Sequence, residues 1–183
     1  MRDILDIREI VKIERLENEY DLEKASLLER KLRLMMGENP DLKPLRKKLR
    51  DLIKEYEDRK WSELEKITDL QIDESDKAEE IVHYEQKFIR KRKDAIRKKL
   101  KEYDMTQQDL GLILGHPKSY MSELINGLSQ FTLRDLVLIH SVLCIDLNIL
   151  VPTFLQSETR DRVKESIEKL NKPKLKLRKT ELV

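Results

Sequence analysis

Apolar residues recur along this chain at spacings of three and four, the signature of amphipathic helices. Leu22, Ala25, Leu28, Leu32, Met35 and Met36 form one stripe. It predicts a helix over 22–36, closed by Gly37 at a C-terminal cap and by the Asn39-Pro40 turn. Leu42, Leu45, Leu49, Leu52, Ile53 and Tyr56 form a second stripe, a helix over 41–58 with Pro44 in its first turn. The two stripes are expected to face each other in an antiparallel hairpin. Ahead of them, residues 9–16 partly alternate and read as a short strand or the start of a helix. Over 61–73 the pattern weakens into a short helix plus linker. A long helix is expected from Ser75 or Asp76, where Ile81/Val82, Phe88/Ile89 and Ala95/Ile96 recur every seven residues before Leu100 and Tyr103. That seam suits a connector packed within the molecule or pairing with a second copy.

Residues 105–154 carry a denser signal. Thr106-Gln107-Gln108-Asp109 is a capping box that opens a helix with Leu110, Ile113 and Leu114, ended by Gly115. Periodicity returns at Tyr120, Met121, Leu124 and Ile125 and stops at Asn126-Gly127. Thr132-Leu133-Arg134-Asp135 opens a third helix with Leu133, Leu136, Val137, Ile139, His140 and Leu143. Asp146 opens the last, with Leu147, Leu150 and Val151 inward, halted around Pro152. Leu110, Ile113, Leu124, Leu136, Ile139 and Leu150 are the expected core, Cys144 a small buried apolar residue, and His140 a packed histidine. Counted with the end of the long helix before them, these make five helices whose spacing describes a helix-turn-helix bundle. A short turn fixes the angle between the helix from Gln107, which braces the backbone, and the helix from Lys118, which enters the major groove. The expected fold is all-α: an N-terminal helical hairpin, a long connecting helix, then this bundle.

Composition narrows the function. Of 183 residues, 40% are charged and only nine are Gly or Pro, too few turn residues for a many-stranded sandwich or barrel. No apolar run reaches the length of a membrane helix, and the first seven residues carry no signal-peptide core, so a cytoplasmic chain without membrane contact is expected. Cys144 is the one cysteine, so no intrachain disulfide forms; it and three scattered histidines leave no zinc pattern, and neither metal nor cofactor is expected. Catalytic signatures are absent, among them His-Glu-x-x-His, Gly-x-Ser-x-Gly and a phosphate-binding Gly-rich loop, so no enzyme is expected. The net charge of +2 conceals segregation. Residues 55–85 hold twelve acids and four bases, a net of −8, and residues 87–101 hold nine bases and one acid, a net of +8. The basic stretch suits phosphates and the acidic one a cationic protein, unless both are solvated helix faces.

The run Thr106-Gln107-Gln108-Asp109-Leu110-Gly111, with Leu114-Gly115 and Ser119-Tyr120-Met121-Ser122-Glu123-Leu124-Ile125-Asn126-Gly127, resembles the XRE, or lambda-repressor-like, helix-turn-helix family. Ile125-Asn126-Gly127-Leu128, followed by Phe131-Thr132-Leu133-Arg134-Asp135-Leu136 and Ile139-His140, resembles the HigA-type antitoxins more closely. Their larger members carry an N-terminal helical part similar to Glu19-Tyr20-Asp21, Asp51-Leu52-Ile53 and Tyr56-Glu57-Asp58. The resemblance implies a dimeric antitoxin that neutralises a HigB-type, RelE-like ribonuclease toxin and represses its own operon on double-stranded DNA. It implies base reading by Lys118, Ser119 and Glu123, unless Glu123 is a helix-surface charge pairing Lys118, and a phosphate contact from Gln107. Asn126 is expected to cap its helix end, with its backbone amide still able to meet a phosphate. Tyr120 touches the sugar-phosphate chain or covers the core, and His116 lies in the turn near a phosphate. The family often has a lysine where this chain has Leu128, so Ser129 or Gln130 is expected to replace it. Arg92, in the run Arg90-Lys91-Arg92-Lys93, grips the DNA backbone or belongs to a solvated face. The expected division is 1–90 for toxin binding or dimerisation, 91–155 for DNA, and 156–183 as a charged tail. The rival readings are an XRE regulator without a toxin and a self-associating helical scaffold.

Overall fold

A computed structural model describes residues 7, 10–37, 40–63, 67–152, 157–172 and 174–177. They form eight α-helices and, among the described residues, no strand. The fold is all-α. Helix α1 spans Glu19–Met35, α2 Lys43–Lys60, α3 Asp69–Glu102, α4 Gln107–Leu114, α5 Lys118–Asn126, α6 Leu133–Leu143, α7 Leu147–Leu150 and α8 Ser157–Leu170. Asn18 opens α1, its side chain accepting from the Asp21 amide.

Two hydrophobic cores divide the described residues. The first lies between α1 and α2, with Leu22, Ala25, Leu28 and Leu32 against Leu42, Leu49, Leu52 and Tyr56. Of the stretch over 9–16, residue 9 lies outside the described residues, and residues 10–16 contribute neither a strand nor an α-helix. A single 3-10 turn, Ile10–Lys12, leads into irregular chain. Ile7, Ile10, Ile13 and Leu16 are all buried at every third position, so the segment lies along the hairpin with one side inward. The second core gathers Ile96 and Leu100 of α3 with Leu110, Leu114, Met121, Leu124, Leu136, Ile139 and Leu150. The last turns of α3 are thus the first helix of the bundle.

Polar groups join the helices of the hairpin to each other and to α3. Glu19 is buried and accepts from the Tyr56 hydroxyl at 2.9 Å and Trp61 Nε1 at 3.2 Å. Lys24 and Glu85 form a buried ion pair, and the Tyr20 hydroxyl donates to the same Glu85 carboxylate at 2.8 Å. The expected hairpin forms, and α1 packs against both α2 and α3.

Several expectations are corrected. The long helix starts at Asp69, not Ser75 or Asp76, because the Thr68 side chain caps it by accepting from the Gln71 amide at 3.2 Å. Its seam buries Val82 and Ile96 within the molecule. Ile113 is 43% exposed: α4 is two turns long and packs through Leu110, Gly111 and Leu114, which leaves Ile113 on its flank. Leu133, Val137 and Leu147 are exposed as well. Cys144 is exposed, not buried, because it ends α6 in the left-handed conformation, at φ 51°, and points out of the core. The expected boundary at residue 90 falls within α3.

The two cores are stitched at one point. Leu128, just after α5, belongs to the N-terminal core and is 1% exposed. Its carbonyl accepts from the Ile7 amide at 2.9 Å. Lys31 of α1 donates to the Gly127 carbonyl at 3.3 Å. The lysine expected by family resemblance at position 128 is absent because this position is an apolar anchor.

Candidate nucleic-acid interface

Helix α4 is opened by a complete capping box: the Asp109 amide donates to Thr106 Oγ1 at 3.2 Å, and the Thr106 amide to Asp109 Oδ2 at 2.7 Å. The Thr106 amide, and next its hydroxyl, which donates to the same Oδ2 at 2.7 Å, hold the Asp109 carboxyl below its usual value. The helix ends at Gly115, whose φ of 76° is the left-handed conformation glycine adopts without strain. The chain then turns through His116 and Pro117 into α5. Gly111 permits the close approach of the pair, since a Cβ there would lie 2.9 Å from the His116 carbonyl oxygen and from Met121 Cγ. Two sequence-local devices, a cap and a small residue, thus set the angle at which α5 leaves α4.

Met121, Leu124 and Ile125 bury the inner face of α5. Lys118 and Ser119 stand exposed in its first turn, where a recognition helix addresses base edges. Lys118 is a donor suited to guanine O6 and N7. Tyr120 is half-buried and meets the His116 ring edge-to-face at 4.9 Å. His116 itself turns inward, its Nε2 lying 3.0 Å from the buried Asp135 carboxylate. His140 is packed as expected, with Nδ1 2.7 Å from the Ile145 carbonyl. Glu123 is half-buried and accepts from the Ser129 hydroxyl at 3.3 Å. Asn126 caps its own helix, donating Nδ2 to the Ser122 carbonyl at 2.8 Å, and accepts from Lys93 Nζ at 2.7 Å. Gln107, half-buried, stands at the start of α4 beside Arg97 and Lys101 in a shared cleft.

Two side chains expected on the DNA face point inward. Ser129 is 2% exposed and held by Glu123. Arg92 is buried, donates to the Leu150 carbonyl at 3.3 Å, and lies over the Phe88 and Phe131 rings at 5.3 and 5.2 Å. Burial lowers its pKa to about 10. It is a strut between α3 and the bundle. The basic stretch over 87–101 suits phosphates by composition, but the placement of Lys93, Arg97 and Lys101 beside α4 and α5 was not predicted. The detectable signal was their spacing of four, which sets them on one helical edge.

Among the described residues, no group of three or more His, Cys, Asp or Glu is placed to hold a metal ion, and no helix is long and apolar enough to cross a membrane. No curated protein and no solved structure matches the chain. Residues 96–150 match the helix-turn-helix family model, HTH_3. The matched span runs from the last turns of α3 to the end of α7, so the chain carries an XRE-type helix-turn-helix domain of the DNA-binding class.

Proposed function

We propose that the chain is a HigA-type antitoxin of the cytoplasm. It neutralises a HigB-type ribonuclease toxin and, as a homodimer on double-stranded DNA, represses its own operon. The DNA-binding half of this reading is carried by the exposed first turn of α5, held by capped and glycine-ended helices within a matched helix-turn-helix domain. Lys118, Ser119 and Glu123 read bases, Gln107 and Asn126 address phosphates, and Tyr120 approaches the sugar-phosphate chain. Dimerisation follows from specificity, because one recognition helix contacts too few base pairs to select a site.

The toxin-binding half is supported by the resemblance to HigA antitoxins and by the acidic stretch over 55–85. Ten of its twelve acids are exposed, Glu85 is buried against Lys24, and Glu65 lies outside the described residues. A ribonuclease that grips RNA is cationic, so an exposed acidic surface complements it. One observation favours the second reading, a regulator without a toxin: the N-terminal core anchors Leu128 behind α5 and so has a structural role of its own.

Co-expression with the small open reading frame beside the gene, followed by purification, tests the proposal. A small basic protein is expected to co-purify and to be lost when Asp76, Glu79 and Glu80 are changed together to Lys, with DNA binding retained. Absence of any bound partner, with specific DNA binding intact, selects the regulator.

A further inference from the structure

Arg90, Lys93, Arg97 and Lys101 recur at spacings of three and four on α3 and share one edge of that helix. The edge passes both ends of the helix-turn-helix. Lys93 donates to Asn126 at the end of α5, and Arg97 and Lys101 share the cleft with Thr106 and Gln107 at the start of α4. Arg90, Arg97 and Lys101 are exposed, and none forms an ion pair among the described residues. Asp94 and Glu102 are the acids nearest in sequence, Glu102 being paired with Lys99, and Asp104 is the carboxylate within the cleft. Lys93 has its pKa lowered first by burial and then by Arg97, with Asp94 opposing, so positive charge is crowded at mid-row.

We propose that α3 is a phosphate-tracking arm: Arg90, Lys93, Arg97 and Lys101 follow one strand of the DNA whose major groove receives α5. The proposal rests on the DNA-binding reading of α4 and α5. A polyanion fits better than an acidic protein because the row is continuous with the two helix ends that address phosphates. From Arg90 to Lys101 the helix rises about 16 Å. Measured along the duplex axis, that length corresponds to roughly four or five nucleotide steps of one strand. The arm also begins before residue 96, so the footprint extends beyond the segment that matches the helix-turn-helix family. Its contacts carry affinity, not sequence preference.

The test uses the full chain and a duplex that the unaltered chain selects from a random pool, with a shuffled duplex as control. Binding is followed by anisotropy across a salt series, for the unaltered chain and for the triple variant Arg90→Gln, Arg97→Gln, Lys101→Gln. The log-affinity against log-salt slope is expected to become shallower by about 2.7, as three phosphate contacts are lost. The two duplexes should weaken by the same factor. Arg90→Lys with Arg97→Lys should keep the original slope, and unchanged circular dichroism should exclude unfolding. An unchanged slope in the triple variant overturns the arm while leaving the DNA reading standing. Failure of the unaltered chain to bind any duplex overturns both. Loss of self-association, or of an acidic protein partner, with the DNA slope unchanged assigns the row to a protein surface and also overturns the proposal.

Discussion

Leu128 and Lys118 lie within ten residues of each other and do opposite work. Leu128 is sealed in the N-terminal core, and Lys118 stands in solvent at the start of α5. Leu128→Ala is expected to cost about 2–4 kcal/mol of stability, read as a lower urea midpoint. Lys118→Ala should leave that midpoint unchanged, weaken binding to the selected duplex by roughly 1–3 kcal/mol and relax preference at one base pair. Arg92→Ala, by its placement between two phenylalanine rings, should behave like Leu128→Ala in the urea measurement. At this scale the sequence is readable where local chemistry decides, as at Thr106, Asp109, Gly115 and Gly127. It is misleading where tertiary contact decides. Arg92 sits in a basic run that looks solvent-facing, and only Phe88 four residues earlier hints at a stacked, inward guanidinium. Leu128 looks like a missing phosphate contact because Ile7, whose amide it accepts, is more than a hundred residues earlier in the chain and the other buried residues of its core are at least seventy earlier. Cys144 reads as apolar and buried, yet its backbone conformation turns it outward.

Helices are legible when cap and stripe agree. Both agree for α4 and α6, whose capping boxes mark their starts. Thr106→Ala should therefore cost about 1 kcal/mol in thermal or urea unfolding. For α3 the stripe begins later than the cap, because Leu70 and Ile72 are exposed and blur the first turns. The segment over 9–16 was ambiguous for another reason. Its buried residues recur every third position, a spacing that fits neither a strand nor a long α-helix. The junction of α1 with the end of α5 has its own pH signature. Burial, followed by the charges of Lys24, Lys93 and Arg92, lowers the Lys31 pKa from 10.5 to about 8. Below pH 8 the lysine is protonated in folded and unfolded chains, and the cost of burying its charge is fully present. Between about pH 8 and 10.5 the unfolded chain binds more protons, so stability rises with pH. Lys31→Met should lack that rise, and the difference in urea midpoint between it and the unaltered chain should change across this window. A constant difference would place the Lys31 charge in solvent.

At the scale of the whole molecule, the all-α class and the helix-turn-helix segment followed from pattern and composition. The joining of the two cores did not, because no periodicity reveals that residues 7 and 31 meet residues 127 and 128. The expected separate N-terminal and DNA-binding parts share α3 as a continuous helix, and the N-terminal core holds the segment that follows α5. Acidic and basic surfaces are also distributed along that one helix, acids in its first half and bases in its second. The central claim is that this scaffold presents α5 to read a DNA sequence. It is tested most directly by titrating the intact chain against the DNA that precedes its own gene and against a shuffled duplex, from about 50 to 200 mM salt. Tighter binding to the gene's own DNA is expected, with affinity for both duplexes falling linearly in log–log form with salt and reduced discrimination in Lys118→Ala. Equal affinity for the two duplexes at every salt concentration, with Lys118→Ala indistinguishable from the unaltered chain, would contradict it.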